Sequence, residues 1–302
     1  MLSVTENPPK ASLFARAGNG KFVTASPDKR AADWLESQIA ASQNEVRSIV
    51  VDLTPALARA LLNRNPNNRK ISDSTVDSYA RDVANEAWHL NGEPVVVSRD
   101  GYLNDGQHRC EAVVAADRPI QVIMVFGVER DTRNTLNQGK VRRLADYLFM
   151  DGYSNTIRLA TVARYVWQYE ETGAIGNRTV KPTKGECRQV IKTYPNLVSS
   201  LRFVDQKGVN KLVSLPSLAF CHWTFCRLDR AAGEQFIQSV IDGVGLEKAA
   251  PALYVRSRLI AERGVIRGEA QAELIFKGWN AFRTGETLQR LVVTGRLPKL
   301  EK

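Results

Sequence analysis

The chain has 302 residues, 43% of them hydrophobic, with 42 Lys and Arg against 32 Asp and Glu. That apolar share excludes wholesale disorder and fibrous repeats, and four cysteines without paired short spacing exclude a disulfide framework. The longest uncharged apolar run, Ile120 to Val128, is too short for a bilayer, and Met1 to Pro9 is polar, so a soluble cytoplasmic protein with no membrane partner is expected.

The charge is lopsided. Residues 1–150 hold 19 basic and 18 acidic side chains, and residues 151–302 hold 23 and 14. A one-sided cationic excess gathers anions and suits phosphate backbones, which makes DNA the expected partner of the second half.

Residues 1–27 mix Gly, Pro and polar residues without period and read as an arm. Pro27-Asp28 then opens a helix to Gln43, with Ala31, Trp34, Leu35, Ile39 and Ala40 on one face. Val46 to Leu53 is short and β-branched, a strand, and Thr54-Pro55 caps a helix to Asn63 that Asn65 to Arg69 breaks. Ser72 to Trp88 carries Val76, Tyr79, Ala80, Val83 and Ala87 at helical spacing. Pro94 to Ser98 and Ile120 to Phe126 are strands flanking a helix at Cys110 to Ala116, and Arg130 to Asn137 and Val141 to Met150 close the region as helices.

Strand signals thin out after Met150. Helices are predicted at Thr156 to Tyr169, Lys184 to Lys192, Leu215 to Asp229, Gly233 to Val240, Ala252 to Glu262 and Glu269 to Phe282. The fold class is α+β, with a small mixed-sheet domain at 28–150 and a basic, mainly α-helical domain at 151–302.

Between two of the strands sits Asn104-Asp105-Gly106-Gln107-His108-Arg109, at a strand-to-helix turn. Amides at a helix N-terminus attract anions, and a guanidinium offers a planar fork for phosphate. An imidazole can donate or shuttle a proton, and a carboxylate can take a divalent cation or a hydroxyl proton. A phosphate-bearing ligand is the economical reading; the alternative is a capped turn with Asp105 on the helix end and Arg109 in a surface pair.

Asp105-Gly106-Gln107-His108-Arg109 resembles the DGQHR signature of the ParB/sulfiredoxin-like superfamily. Leu57 to Arg69, Tyr79 to Trp88, Gly92-Glu93-Pro94 and Leu136 to Arg143 are similar to its phage and plasmid-borne members, so the likeness spans roughly residues 45–150. Phe276 to Phe282 adds a weaker similarity. The resemblance implies a ParB/sulfiredoxin-like mixed-sheet domain whose turn holds a nucleotide's phosphates. Partition proteins there bind CTP, sulfiredoxins use ATP, and free-serine kinases transfer phosphate. Gln107 stands where sulfiredoxins carry their nucleophilic cysteine, and an amide cannot replace it. The Arg-rich partition box is also missing, which leaves the kinase-type turn as the nearest chemical match.

Carried onto this chain, the resemblance makes Gly106, Gln107, His108 and Arg109 the phosphate-binding residues of a nucleoside triphosphate site; Asn68 and Arg69 form a further polar cluster able to line the same cleft, and Arg143, after a Gly-Lys turn, can reach phosphates of ligand or DNA. Asp105 becomes the catalytic or Mg2+-binding carboxylate, His108 a catalytic imidazole and Glu86 a second base. Each also has a bland reading: Glu86 as a solvated helix end, Asn68 and Arg69 as a helix-breaking turn, Arg143 in a surface ion pair. Residues 246–302 hold 11 basic and 6 acidic side chains. There Arg256, Arg258, Arg263, Arg267, Lys277 and Arg283 are the expected nucleic-acid contacts. Cys221, His222 and Cys226 lack zinc spacing and read as a buried helix, with Trp279 in a core.

The expectation is therefore a ParB-like DNA-binding protein of a phage or other mobile element, working in a bacterial host's cytoplasm as a monomer or homo-oligomer. The rival is an enzyme using the same turn as a kinase, NTPase or nuclease. A partner-binding module with a vestigial pocket is the third reading.

Overall fold

A computed structural model describes residues 14–16, 22–24, 26–66, 68–135, 142–176, 179–244, 246–288 and 290–301. The chain divides into two compact units, Met1–Lys140 and Val141–Lys302. Within the predicted arm, Phe14–Arg16 (β1) and Phe22–Thr24 (β2) pair antiparallel, where the composition suggested no regular structure. The rest of the arm lies outside the described residues. So do residues 136–141, which take in most of the predicted Leu136 to Arg143 segment.

The first unit continues with α1 (Pro27–Ala41), β3 (Arg47–Leu53), α2 (Pro55–Leu62), α3 (Asp73–Ala84), β4 (Val95–Ser98), β5 (Leu103–Asp105), α4 (Gln107–Ala116) and β6 (Ile120–Val128). A 3-10 turn follows at Arg130–Thr135. Two of the helices begin as their cap residues dictate. Ser26 Oγ accepts the Lys29 N–H at 3.3 Å, Thr54 Oγ1 accepts the Leu57 N–H at 3.2 Å, and Pro27 and Pro55 fill first positions that need no donor.

The sheet order is β3-β6-β4-β5. β6 runs antiparallel to β3 and parallel to β4, and β4 runs antiparallel to β5, a mixed sheet. Its inner face buries Val51, Leu53, Val95, Val97, Leu103, Val122, Met124 and Phe126 with Leu57 and Leu61 of α2 and Val113 of α4. A fully buried aliphatic side chain of this kind stabilises a fold by about 2 kcal/mol. Gly127 lets β6 pass the main chain before β3: its φ is +86°, and a Cβ there would meet Ser42 O at 2.5 Å.

The regular structure of the second unit's described residues is all helix: α5 (Leu144–Met150), α6 (Thr156–Thr172), α7 (Lys184–Thr193), α8 (Asn196–Val204), α9 (Val209–Leu212), α10 (Leu215–Leu228), α11 (Arg230–Asp242), α12 (Pro251–Ala261) and α13 (Glu269–Thr284), after which the described residues of 285–301 run without helix or strand. The core helix is α10, whose residues Leu218–Phe225 are all buried. Phe225 stacks on Trp279 of α13 at 4.4 Å between centroids, and Phe236 of α11 meets Trp279 edge-on at 5.8 Å. No helix of the described residues is long and apolar enough to cross a membrane.

Candidate functional site: the Asp105–Arg109 turn

Gly106 makes the turn possible. It joins β5 to α4 with φ +110° and ψ 2°, and a Cβ on it would stand 3.0 Å from Val95 Cγ2 in the neighbouring strand. The three side chains that follow it are all buried, which is unusual for a helix's first turn of Gln, His and Arg. Each is held by a specific partner.

Gln107 reaches back to the segment between α2 and α3. Its Nε2 donates to Arg69 O at 2.9 Å, and its Oε1 accepts from Asn65 Nδ2 at 2.9 Å. Asn68 joins the network, donating to Asn65 Oδ1 at 2.9 Å and to Leu103 O at 3.3 Å while its own Oδ1 takes the Arg69 N–H. His108 Nε2 accepts the main-chain N–H of Ser72 at 3.0 Å. Ser72 is the residue before α3, so an imidazole anchors the start of that helix, and its accepting nitrogen places the ring proton on Nδ1. Burial lowers the His108 pKa below its ordinary value, the cation of Arg69 lowers it further, and Asp105 opposes both.

Arg109 turns the other way. Its guanidinium donates to the main-chain carbonyls of Glu93 and Pro94, the residues leading into β4. Asp105 Oδ2 lies 3.5 Å from the same group, an i,i+4 contact with the carboxylate a quarter exposed. The alternative reading of a capped turn with Arg109 on the surface is therefore corrected: Gly106 is the cap residue and makes no side-chain cap bond, and Arg109 is inside the protein.

Several partners here carry no motif. Asn104 Oδ1 takes Arg130 Nη1 at 2.9 Å, and the same guanidinium donates to Leu103 O and Pro66 O and lies over the Tyr102 ring. Tyr79, packed edge-on against Trp88 at 5.3 Å, has its hydroxyl pKa raised by burial and by Glu93, with Arg109 and Arg69 opposing. Glu93 is exposed and Pro94 half-buried, and burial begins at Val95; the sequence marked Pro94 as the opening of a strand without showing that Arg109 would hold its carbonyl.

Glu86 does not join this group. It lies two residues beyond the C-terminal end of α3, exposed, with φ +56° and an ion pair to Arg118 at 3.3 Å. His108 holds the opposite end of that helix, whose 12 residues put about 18 Å between its ends. The base role expected for Glu86 at this turn is thereby corrected. Arg143 belongs to the second unit, where its main-chain N–H donates to Asp146 Oδ2 at 2.6 Å at the start of α5. Among the described residues no three His, Cys, Asp or Glu side chains are grouped to hold a metal, at Asp105 or elsewhere.

The cations expected to contact nucleic acid divide into two sets. Arg256 donates to the carbonyls of Val240 and Ile241, Arg258 to Glu262, to Tyr254 Oη at 3.2 Å and to Leu291 O at 2.8 Å. Lys277 pairs with Glu273 at 2.6 Å, and Arg283 with Asp229 Oδ2 at 2.9 Å. Those four are fastened to the unit itself. Arg263 and Arg267 are exposed, as are Arg290, Arg296 and Lys299 farther along. His222 and Cys226 face each other on α10, but the sulfur lies 3.8 Å from Nδ1 and 3.6 Å from Nε2. Nearly equal distances to both nitrogens place it beside the ring rather than on one lone pair, and Phe203 stacks on that ring at 4.3 Å. This is a packing contact.

No protein-family model matches the chain, and comparison with curated proteins and with solved structures found no match.

Proposed function

We propose that the chain is a ParB-like nucleic-acid-binding protein of a mobile element, acting in the bacterial cytoplasm, whose helical unit grips the phosphate backbone. The observation that carries this reading is the partition of charge between the two units. Residues 1–140 hold 17 basic and 17 acidic side chains, whereas residues 141–302 hold 25 and 15. The whole excess thus falls in one folded unit, where the exposed Arg263, Arg267, Arg290, Arg296 and Lys299 are available to phosphates.

The turn supports a nucleotide only in a restricted way. With Gln107, His108 and Arg109 committed to main-chain and side-chain partners, a phosphate would rest on the first-turn amides of α4 and on the exposed Arg69. The same commitment weighs against His108 as a general base, because the nitrogen that would take a proton already accepts one.

Fluorescence polarisation of the full chain with a labelled duplex, repeated across salt, tests the reading. Four or five phosphate contacts give a log–log slope of about −4. No binding at low salt, or a flat slope, overturns it.

A second reading, phosphoryl transfer, is favoured by Asp105 alone, a partly exposed carboxylate beside a helix N-terminus. Phosphate release from ATP, CTP or GTP with Mg2+ that disappears in Asp105→Asn would establish it over the first.

A further inference from the structure

The segment Asn68–Ser72 has neither helix nor strand of its own, and Arg69, Lys70 and Ser72 are exposed. Three side chains fasten it. Asn68 Nδ2 holds Leu103 O, Gln107 Nε2 holds Arg69 O, and His108 Nε2 takes the Ser72 N–H. Gln107 and Asn68 are amides, constant in their donors and acceptors at any ordinary pH. The imidazole is not.

We infer that His108 is an acid-released latch, which docks Asn68–Ser72 and the first turn of α3 when neutral and lets them go when protonated. A proton on Nε2 turns the acceptor into a donor facing another donor, so the bond to Ser72 is lost. It also creates a cation beside Arg69, which rides on the segment being held, so repulsion pushes the segment away.

The charged and titratable groups around the ring set the balance. Asp105 on β5 attracts the protonated ring, and Arg69 repels it. Tyr79 on α3 keeps its proton, its pKa being raised, and Arg109 is turned toward Glu93 and Pro94. Asp73 opens α3 next to Ser72. That helix makes no side-chain cap bond at its start; Thr75 Oγ1 donates to Ser72 Oγ at 3.0 Å within the first turn, and the imidazole is what ties that turn to α4.

Burial and Arg69 hold the transition below the ordinary histidine range. The inference stands whether or not the chain binds nucleic acid.

Hydrogen exchange of the full chain, corrected for intrinsic rates and followed by mass spectrometry from about pH 7.5 to about pH 4.5, tests it. Amides of 68–72 should lose protection about ten-fold in acid while those of β6 keep theirs. His108→Gln supplies an acceptor that cannot titrate and should stay protected throughout, and His108→Ala should be open at both ends of the range. Arg69→Gln, an exposed change that spares the fold, should move the release to higher pH. Protection of 68–72 that is level across the range in the parent overturns the latch, as does His108→Gln releasing in step with the parent or an unmoved midpoint in Arg69→Gln.

Discussion

Arg109 and Pro94 are joined by a 2.6 Å hydrogen bond from a guanidinium to a main-chain carbonyl, inside the protein. The same group serves Glu93 O, so one side chain of the DGQHR turn fixes the entry to β4, a strand buried along its whole length. Removing it leaves the Glu93 and Pro94 carbonyls without their charged donor. Arg109→Ala should therefore cost about 3 kcal/mol in urea unfolding, and Arg109→Lys should recover less than half of that, because an ammonium cannot fork. An unfolding midpoint equal to the parent's in Arg109→Ala would contradict this. Any loss of ligand binding in that variant then has to be separated from loss of fold.

How far the sequence led differs from element to element. Thr54-Pro55 and the β-branched run at Val46 to Leu53 announce a capped helix and a strand, because both signals are local. β5 was missed since Leu103-Asn104-Asp105 has poor strand propensity and exists by pairing with β4. α8 was missed because its Leu197, Leu201 and Val204 are interrupted by serines and open on a proline. The turn was found as a motif, and the pairing of its side chains was not, since Pro94 O, Ser72 N and Arg69 O reach it from segments 15, 36 and 38 residues away. A motif gives donors and acceptors but not their direction. Here three of the expected phosphate ligands point inward.

His222 is buried between Phe203 and Cys226, and its Nδ1 lies 3.0 Å from Ser200 Oγ. Burial first, then Arg230, pushes its pKa down to about 4, with Glu234 opposing. A base with a depressed native pKa binds its proton more readily unfolded. Its neutral form thus supports the fold fully above the ordinary value near 6.5, and that support is lost as pH falls toward about 4. The loss amounts to something on the order of 3 kcal/mol. His222→Asn keeps a polar atom near Ser200 and does not titrate, so its stability should fall less steeply over that window in urea unfolding than the parent's, His108 and Glu273 supplying the slope that remains. Parallel curves would mean the ring is not the titrating group.

Glu273 is a wholly buried carboxylate that gathers the C-terminal segment. It accepts from Thr294 N at 2.8 Å, Gly295 N at 2.6 Å, Arg296 N at 3.1 Å and Lys277 Nζ at 2.6 Å. Burial alone would raise its pKa, but Lys277, Thr294 and Gly295 outweigh it and hold the group below the ordinary carboxylate value. Its contribution is present above the unfolded pKa and disappears as pH falls through the lower native one. Glu273→Gln should lose about 2 kcal/mol at neutral pH and expose residues 294–296 to rapid hydrogen exchange. Slow exchange there in the variant would show the segment to be held by its other contacts, such as Asn280 with Lys299 O and Glu301 N.

The two sets of cations in the helical unit should respond oppositely to charge reversal. Arg256 lies across Gly243, whose missing side chain makes room for it, and its guanidinium closes the carbonyl end of α11. Arg256→Glu puts a carboxylate against those carbonyls and should lower the melting temperature by several degrees, so weaker DNA binding in that variant says nothing about contact. Arg263, Arg290 and Arg296 are exposed, and reversing all three should leave the melting temperature within about a degree of the parent. If this surface meets phosphates, the triple variant should bind a duplex at least ten-fold more weakly and flatten the log–log salt slope by about 3. Undiminished binding with an unchanged slope would move the contact to other cations of the unit. Arg202 would be the next to reverse, since it is exposed on α8 and lines the shallow groove where Asp205 already takes Asn155 and Arg158.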